Sequence, residues 1–182
     1  MVRSVAVPWP LLRTVRAVRC DGEPMTQDIL DRRAAAVIEA NKYMTLGTVD
    51  PDGRPWVTPV YFTPDGHATF YWASATAAAH SVNIAANPDV SIAIFDSSVP
   101  IGGASAVYFR ARAEIVPDDE LERRAAFYTS RYPELRSFSA DELREPEGLR
   151  LYRAHATDHW ILVRGSDPDY GTGIDSRRSV WP

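Results

Sequence analysis

The chain has one lysine, Lys42, one cysteine, Cys20, and no unbroken apolar run of the roughly 18 residues that a bilayer-spanning helix needs. Each scarcity excludes something. One cysteine cannot close an internal disulfide and matches no metal-ligand spacing, which suits a reducing compartment and predicts a cytoplasmic protein. The basic residues number 20 against 24 acidic ones, giving net charge -4 and a pI near 5.6, so no global positive field recruits nucleic acid or an anionic membrane. The preference for arginine, beside many alanines, fits the codon bias of a GC-rich bacterial genome. The sequence also lacks a Ser/His/Asp elbow, a paired-carboxylate signature and a Cys/His metal cluster. Without these, any redox or transfer chemistry falls to a bound cofactor.

What is present suits one domain: 182 residues, of which 45% are hydrophobic. Residues 1–24 are Arg-bearing, but Pro8 and Pro10 break their apolar segment and no clean cleavage site follows. They read as a disordered arm, with Met25 as a candidate natural start. Residues 26–42 place Leu30, Ala34, Val37 and Ile38 at helical spacing, with Thr26 or Asp28 as the cap. The period then shortens to that of strands at 43–49, 56–62 and 68–73, bounded by DPDG and TPDG turns, which predicts a three-stranded meander. A helix over 76–89, capped by Ser74 or Thr76 and stopped by Asn87-Pro88, precedes strands at 90–95 and 106–116. In the second of these, Val107, Phe109, Ala111, Ala113 and Ile115 alternate with polar residues. A helix over 118–132 with acids first, a strand or strand pair over 149–165 and an irregular tail over 166–182 complete the chain. The expectation is a mainly β protein with α elements, a small antiparallel barrel of about six strands carrying peripheral helices over 25–165.

This order of elements resembles the pyridoxamine 5'-phosphate oxidase-like, split β-barrel family. The phrase TVDPDGRPWVTPV carries the likeness, together with Thr76, His80 and Asn83-Ile84 leading to Asn87-Pro88. The resemblance covers about residues 26–132. It implies a homodimer with cofactor sites in the groove between subunits, holding FMN, in some branches F420, and in related members haem. It places the isoalloxazine edge along Val57, Thr58, Pro59 and Val60, and the phosphate near Ser74, Thr76, His80, Ser81 and Asn83. The implied activity is FMN-dependent oxidoreduction of an unknown small organic substrate, or alternatively that of an F420-dependent reductase of the same fold. The other class of function is non-catalytic flavin or haem binding.

The chain departs from the family pattern where many members carry a lysine, since His80 stands there after Ala77, Ala78 and Ala79. A histidine holds phosphate best when protonated, so flavin affinity is expected to fall as pH rises through neutrality. Arg54, Arg110 and Arg112 are the candidates for the missing charge. The ending SRRSVWP lacks the family's arginine substrate pattern, which argues against vitamin B6 oxidation.

Single residues keep two readings each. Pro59 marks an edge or bulge, or frees backbone groups for a flavin. His80 and Asn83 share a helix face that meets either solvent or ligand. His155 and His159, four apart in a strand-like run without a third ligand, read as structural. Trp56, Tyr61, Tyr71, Trp72 and Tyr108 could stack on a ring or simply pack. Gly102-Gly103 reads as a flexible turn.

Overall fold

The computed structural model describes residues 26–132, 134, 137–144 and 148–181. The expected arm over 1–24 lies outside them. Helix α1 (Gln27–Ala40) buries the expected stripe of Leu30, Ala34, Val37 and Ile38. Thr26 occupies its cap position but makes no side-chain cap bond, and Asn41 ends the helix by donating its side-chain amide to the Val37 carbonyl at 2.8 Å.

Strand β1 (Tyr43–Val49) turns into β2 (Pro55–Tyr61) through a loop that Asp50 organises. Its carboxylate accepts the amides of Asp52 and Arg54 at 2.9 and 2.8 Å, and Gly53 supplies φ 82°. After β2 come β3 (Thr63–Asp65), β4 (Thr69–Ala75), α2 (Ala79–Ala86), β5 (Asp89–Phe95), β6 (Ala106–Ile115), α3 (Asp118–Ser130), β7 (Leu149–Val163) and β8 (Ser176–Ser179). The strands follow the order β2-β1-β5-β6-β7-β4-β3, all antiparallel, with β8 added on β7.

The expected meander is corrected by this order. β2 pairs with β1 alone, while β4 pairs with β3 and β7. The two ends of the sheet path, β2 and β3, are separated in sequence only by Phe62, which is fully buried. One bent stretch of chain therefore leaves one edge of the sheet and joins the other, and the sheet curls on itself as a split barrel. Phe62 is the hinge: its amide still reaches the Lys42 carbonyl at 3.2 Å while its ring packs on Phe70, centroids 5.9 Å apart.

The described residues form eight strands where six were expected. The additions are β3, hidden in the TPDG turn, and β8, in the tail expected to be irregular. β7 is long enough to offer one edge to β6 and to divide the other between β4 along 149–155 and β8 along 160–163. Behind β8, Val180 is buried and joins the main core of Leu46, Phe70, Trp72, Ile92, Phe109 and Ile161. A second cluster under α3 holds Tyr71, Leu121, Ala125, Tyr128 and Leu151.

Helix α2 is shorter than expected. It starts at Ala79 with Ala78 as its cap residue and no side-chain cap bond, so neither Ser74 nor Thr76 caps it. No described helix is long and apolar enough to cross a membrane. His155 and His159 fall on opposite faces of β7. The register skips Thr157 where Arg110 opposes Asp158 and Ala111 opposes Ala156, and this bulge reverses the alternation.

Candidate functional site

Register settles what Pro59 does. The Cα partners across β1 and β2 run from Tyr43 with Tyr61 to Val49 with Pro55. At the two ends of the ladder the Phe62 amide bonds the Lys42 carbonyl and the Asp50 amide bonds the Arg54 carbonyl. Both bonds lie on even-numbered residues of the β2 side. Backbone direction alternates along a strand, so the even residues turn to β1 and the odd residues Pro55, Val57 and Pro59 turn to the unpaired edge. Both prolines thus occupy positions where no ladder amide is lost. Between them, Val57 presents a free N–H and C=O. Thr58 and Val60, expected to offer backbone groups, have theirs directed into the β1 ladder by the same parity.

The outer face of the sheet beside this edge is a trough. One row across the strands runs Val57, Gly47, Ser91, Arg110, and the next runs Pro59, Thr45, Ala93, Tyr108, Trp160. The floor on β1 and β5 is made of small residues, and the walls are Val57 on one side and Tyr108, Arg110 and Trp160 on the other. Two adjoining grooves of about 470 and 680 Å³ open here, and both are lined by Gly47, Val57, Ser91 and Arg110. A Cβ on Gly47 would lie 2.4 Å from the Ser91 hydroxyl, so the floor is as low as it can be. A flat ring could approach the backbone here.

The second group of expected residues gathers around α2. Ser74 Oγ and His80 Nε2 are 2.7 Å apart, and Asn83 Nδ2 donates to Thr48 Oγ1 at 3.0 Å. The helix face holding His80 and Asn83 meets neither solvent nor a large cavity. His80 is only 6% exposed and Asn83 5%, packed against the barrel. Burial lowers the pKa of His80, which makes it a neutral hydrogen-bonding group near pH 7 rather than the protonated anchor expected. Thr76 and Ser81 instead line a separate apolar cleft with Ile84, Ala113 and Tyr152, and the Ser81 hydroxyl is buried without a partner.

Of the candidate compensating arginines, two are committed elsewhere. Arg54 pairs with Asp52 at 2.7 Å, and Arg112 with Asp89 at 3.4 Å. Arg110 has no acidic partner among the described residues and lies over the Trp160 ring, 5.6 Å from its centroid. Of the expected stacking aromatics, Tyr71 and Trp72 are core, and Tyr61 packs among Tyr43, Tyr128 and Tyr132. Trp56 and Tyr108 remain beside the grooves.

Within one chain, then, Val57 with its edge and the Ser74–Asn83 group do not share a cavity. Sequence reading missed Gly47, Ser91, Trp160 and Arg177 on the trough. The alternation in β1 and β5 marks the first two as outward-facing, but only strand order makes them neighbours. The donor set fits a planar heteroaromatic with polar edges: a free backbone N–H and C=O, a glycine floor and flanking aromatics. A doubly charged phosphate is less well served at α2, where residues 74–83 contain no lysine or arginine.

Solved structures share this architecture. HutZ, a haem storage protein from Vibrio cholerae, is 24% identical with a TM-score of 0.59, over 74% of this chain and 94% of its own. A FAD-binding protein from Mesorhizobium loti is 22% identical with a TM-score of 0.54, over 69% of this chain and 87% of its own. An F420 reductase is 24% identical with a TM-score of 0.51, over 69% of this chain and 94% of its own. At such identities the likeness is one of fold. No curated protein matches the chain. The pyridoxamine 5'-phosphate oxidase family model matches residues 30–158, most of the split barrel, and the chain belongs to that family.

Proposed function

We propose that this protein is a flavin-binding oxidoreductase that works as a homodimer, with FMN as the cofactor and a small organic molecule as the acceptor. The observation that supports this most directly is the unpaired β2 edge, where Pro55 and Pro59 remove amides on either side of Val57. A strand edge that has lost two of its four donors, keeping only the amides of Val57 and Tyr61, above a glycine-floored trough, suits the polar edge of a flat ring better than it suits another strand. When bound, the flavin supplies hydride or electron transfer.

The chain's own part is to orient and to exclude water. Val57 offers its N–H and C=O to the ring edge, and the low floor at Gly47 and Ser91 admits a plane at van der Waals distance. Ser74, half-buried and backed by the buried His80 at 2.7 Å, is able to donate to a phosphate without adding charge. Thr76, Ser81 and Asn83 are the remaining phosphate-side candidates. A second chain would bring the two groups of residues into one site.

A second reading, in which the protein binds haem in place of FMN, is favoured by one feature, the absence of lysine and arginine from residues 74–83, where an FMN phosphate would lie. One experiment separates these readings. The purified protein is titrated with FMN, F420 and haem while its visible spectrum is recorded. Saturable flavin bands support the proposal, and a Soret band with no flavin binding replaces it with the haem reading. His80→Ala is expected to weaken FMN about tenfold and riboflavin much less. Equal losses for the two would remove His80 from the phosphate side.

A further inference from the structure

Of the buried side-chain polar atoms left without a hydrogen-bond partner among the described residues, two belong to one corner of the barrel, Ser81 Oγ and Trp72 Nε1. Ser81, 3% exposed, lines a cleft of about 510 Å³ between α2, the end of β6 and the start of β7. Trp72 is fully buried and stacks on Tyr152 of the same cleft, with ring centroids 5.5 Å apart. A hydroxyl buried without a partner is destabilising, and a native fold keeps one where something else supplies the missing bond.

The cleft shares no lining residue with the trough on the outer face of β1 and β5. Its walls are Ile84, Pro88, Ala113 and Tyr152, and Val82 and Ile115 beside them are 50% and 47% exposed. Large apolar groups left in water around a cavity of this size suit a site for one small molecule. No lysine, arginine or histidine lines it, and its one acid, Glu114, is held by Arg153 at 2.6 and 2.8 Å. A carboxylate or phosphate would find no cation in the lining, and an ammonium would find only a carboxylate already paired. An uncharged molecule gives up no ion hydration on entering, and the Ser81 hydroxyl can either donate to it or accept from it.

We infer that this cleft is a second ligand site, separate from the ring trough, for a small uncharged and mostly apolar molecule carrying one hydroxyl or carbonyl. Ser81 bonds that polar group, while Ile84, Ala113 and Tyr152 pack on the apolar body. Thr76 and Ser81 thereby leave the phosphate side for a ligand of their own. The site stands independently of the flavin reading, because no residue of the trough enters it.

The test uses the full chain and three matched probes, 2-naphthol, 2-methylnaphthalene and 2-naphthoate, titrated by fluorescence. The naphthol is expected to bind about fivefold more tightly than the methylnaphthalene and about tenfold more tightly than the naphthoate. Ser81→Ala should erase the first preference while leaving the methylnaphthalene affinity within about twofold. Ala85→Trp, at the exposed rim on α2, should weaken all three probes about tenfold by blocking the mouth, and it keeps the test open should Ser81→Ala fail to fold. Val57→Asp, on the trough, should change none of them by more than about twofold. Probes lost in Val57→Asp but retained in Ala85→Trp lie in the trough, which overturns the inference. No naphthol binding, equal binding of naphthol and methylnaphthalene, or a preference that survives Ser81→Ala overturns it as well. FMN that displaces the naphthol where riboflavin does not returns the cleft to the flavin phosphate, with the same consequence. FMN and naphthol bound together support both sites. Naphthol bound with the expected preferences by a chain that takes no flavin sinks the flavin reading and leaves this site standing.

Discussion

At the scale of single residues, histidine is the most informative. His80 and His159 both have their pKa lowered from 6.5, in each case chiefly by burial. As pH falls below that value the unfolded chain takes up protons that the folded one refuses. The stability these groups support is therefore complete above about pH 6.5 and is lost as pH drops towards their folded pKa values. The thermal midpoint of the ligand-free protein should fall between about pH 7.5 and 5.5, and less steeply in His80→Gln and His159→Gln. An unchanged slope in both variants would exclude these two histidines as the cause. Spacing alone showed that His80 and Asn83 share a helix face. It could not show that this face is buried, because the partners, Ser74 and Thr48, sit on two strands far apart in the sheet order. Pro59 is the opposite case: its missing amide limits it to an edge or bulge in any fold, and the register supplied only which edge.

At the scale of elements, the readings that failed were those where the apolar pattern was weak or the pairing non-local. Strand β8 has the sequence SRRS, with no buried residue in it, so nothing in its composition announces a strand. Its reason for existing lies next door, in Val180, which is 1% exposed, and in Trp181, which stacks on His67 with centroids 4.4 Å apart. Gln27 donates to the Ser179 carbonyl and the Trp181 amide to Asp31, so the strap also ties down α1. Val180→Ala should cost about 2 kcal/mol in urea unfolding, from lost burial and the cavity left behind. Removing residues 176–182 should cost more. A truncated chain with unaltered unfolding midpoint would show that β8 merely lies on the surface. The strands with the clearest alternation, β5 and β6 from Val107 to Ala113, were legible because one face of each meets the core at period two, whereas Ile115, expected on that face, is exposed.

At the scale of the whole molecule, the trough and the free β2 edge lie on an outer face with Trp56 51% and Val57 61% exposed, large apolar groups beside an open groove. We expect sedimentation to give twice the 20.3 kDa chain mass, and cofactor to be lost on dilution together with the dimer. A monomer that retains flavin at full affinity would sink the shared-site arrangement. The amino-acid sequence determined by itself what local chemistry can determine: helices from apolar spacing, strands from alternation, turns from Asp-Gly and the blunted edge from proline. Tertiary structure decided which strands are neighbours. The closure at Phe62, the burial of His80, the row that sets Gly47 beside Ser91 and Arg110, and the count of charges that leaves Arg110 unpaired all follow from contacts between residues distant in the chain, and no local pattern encodes those.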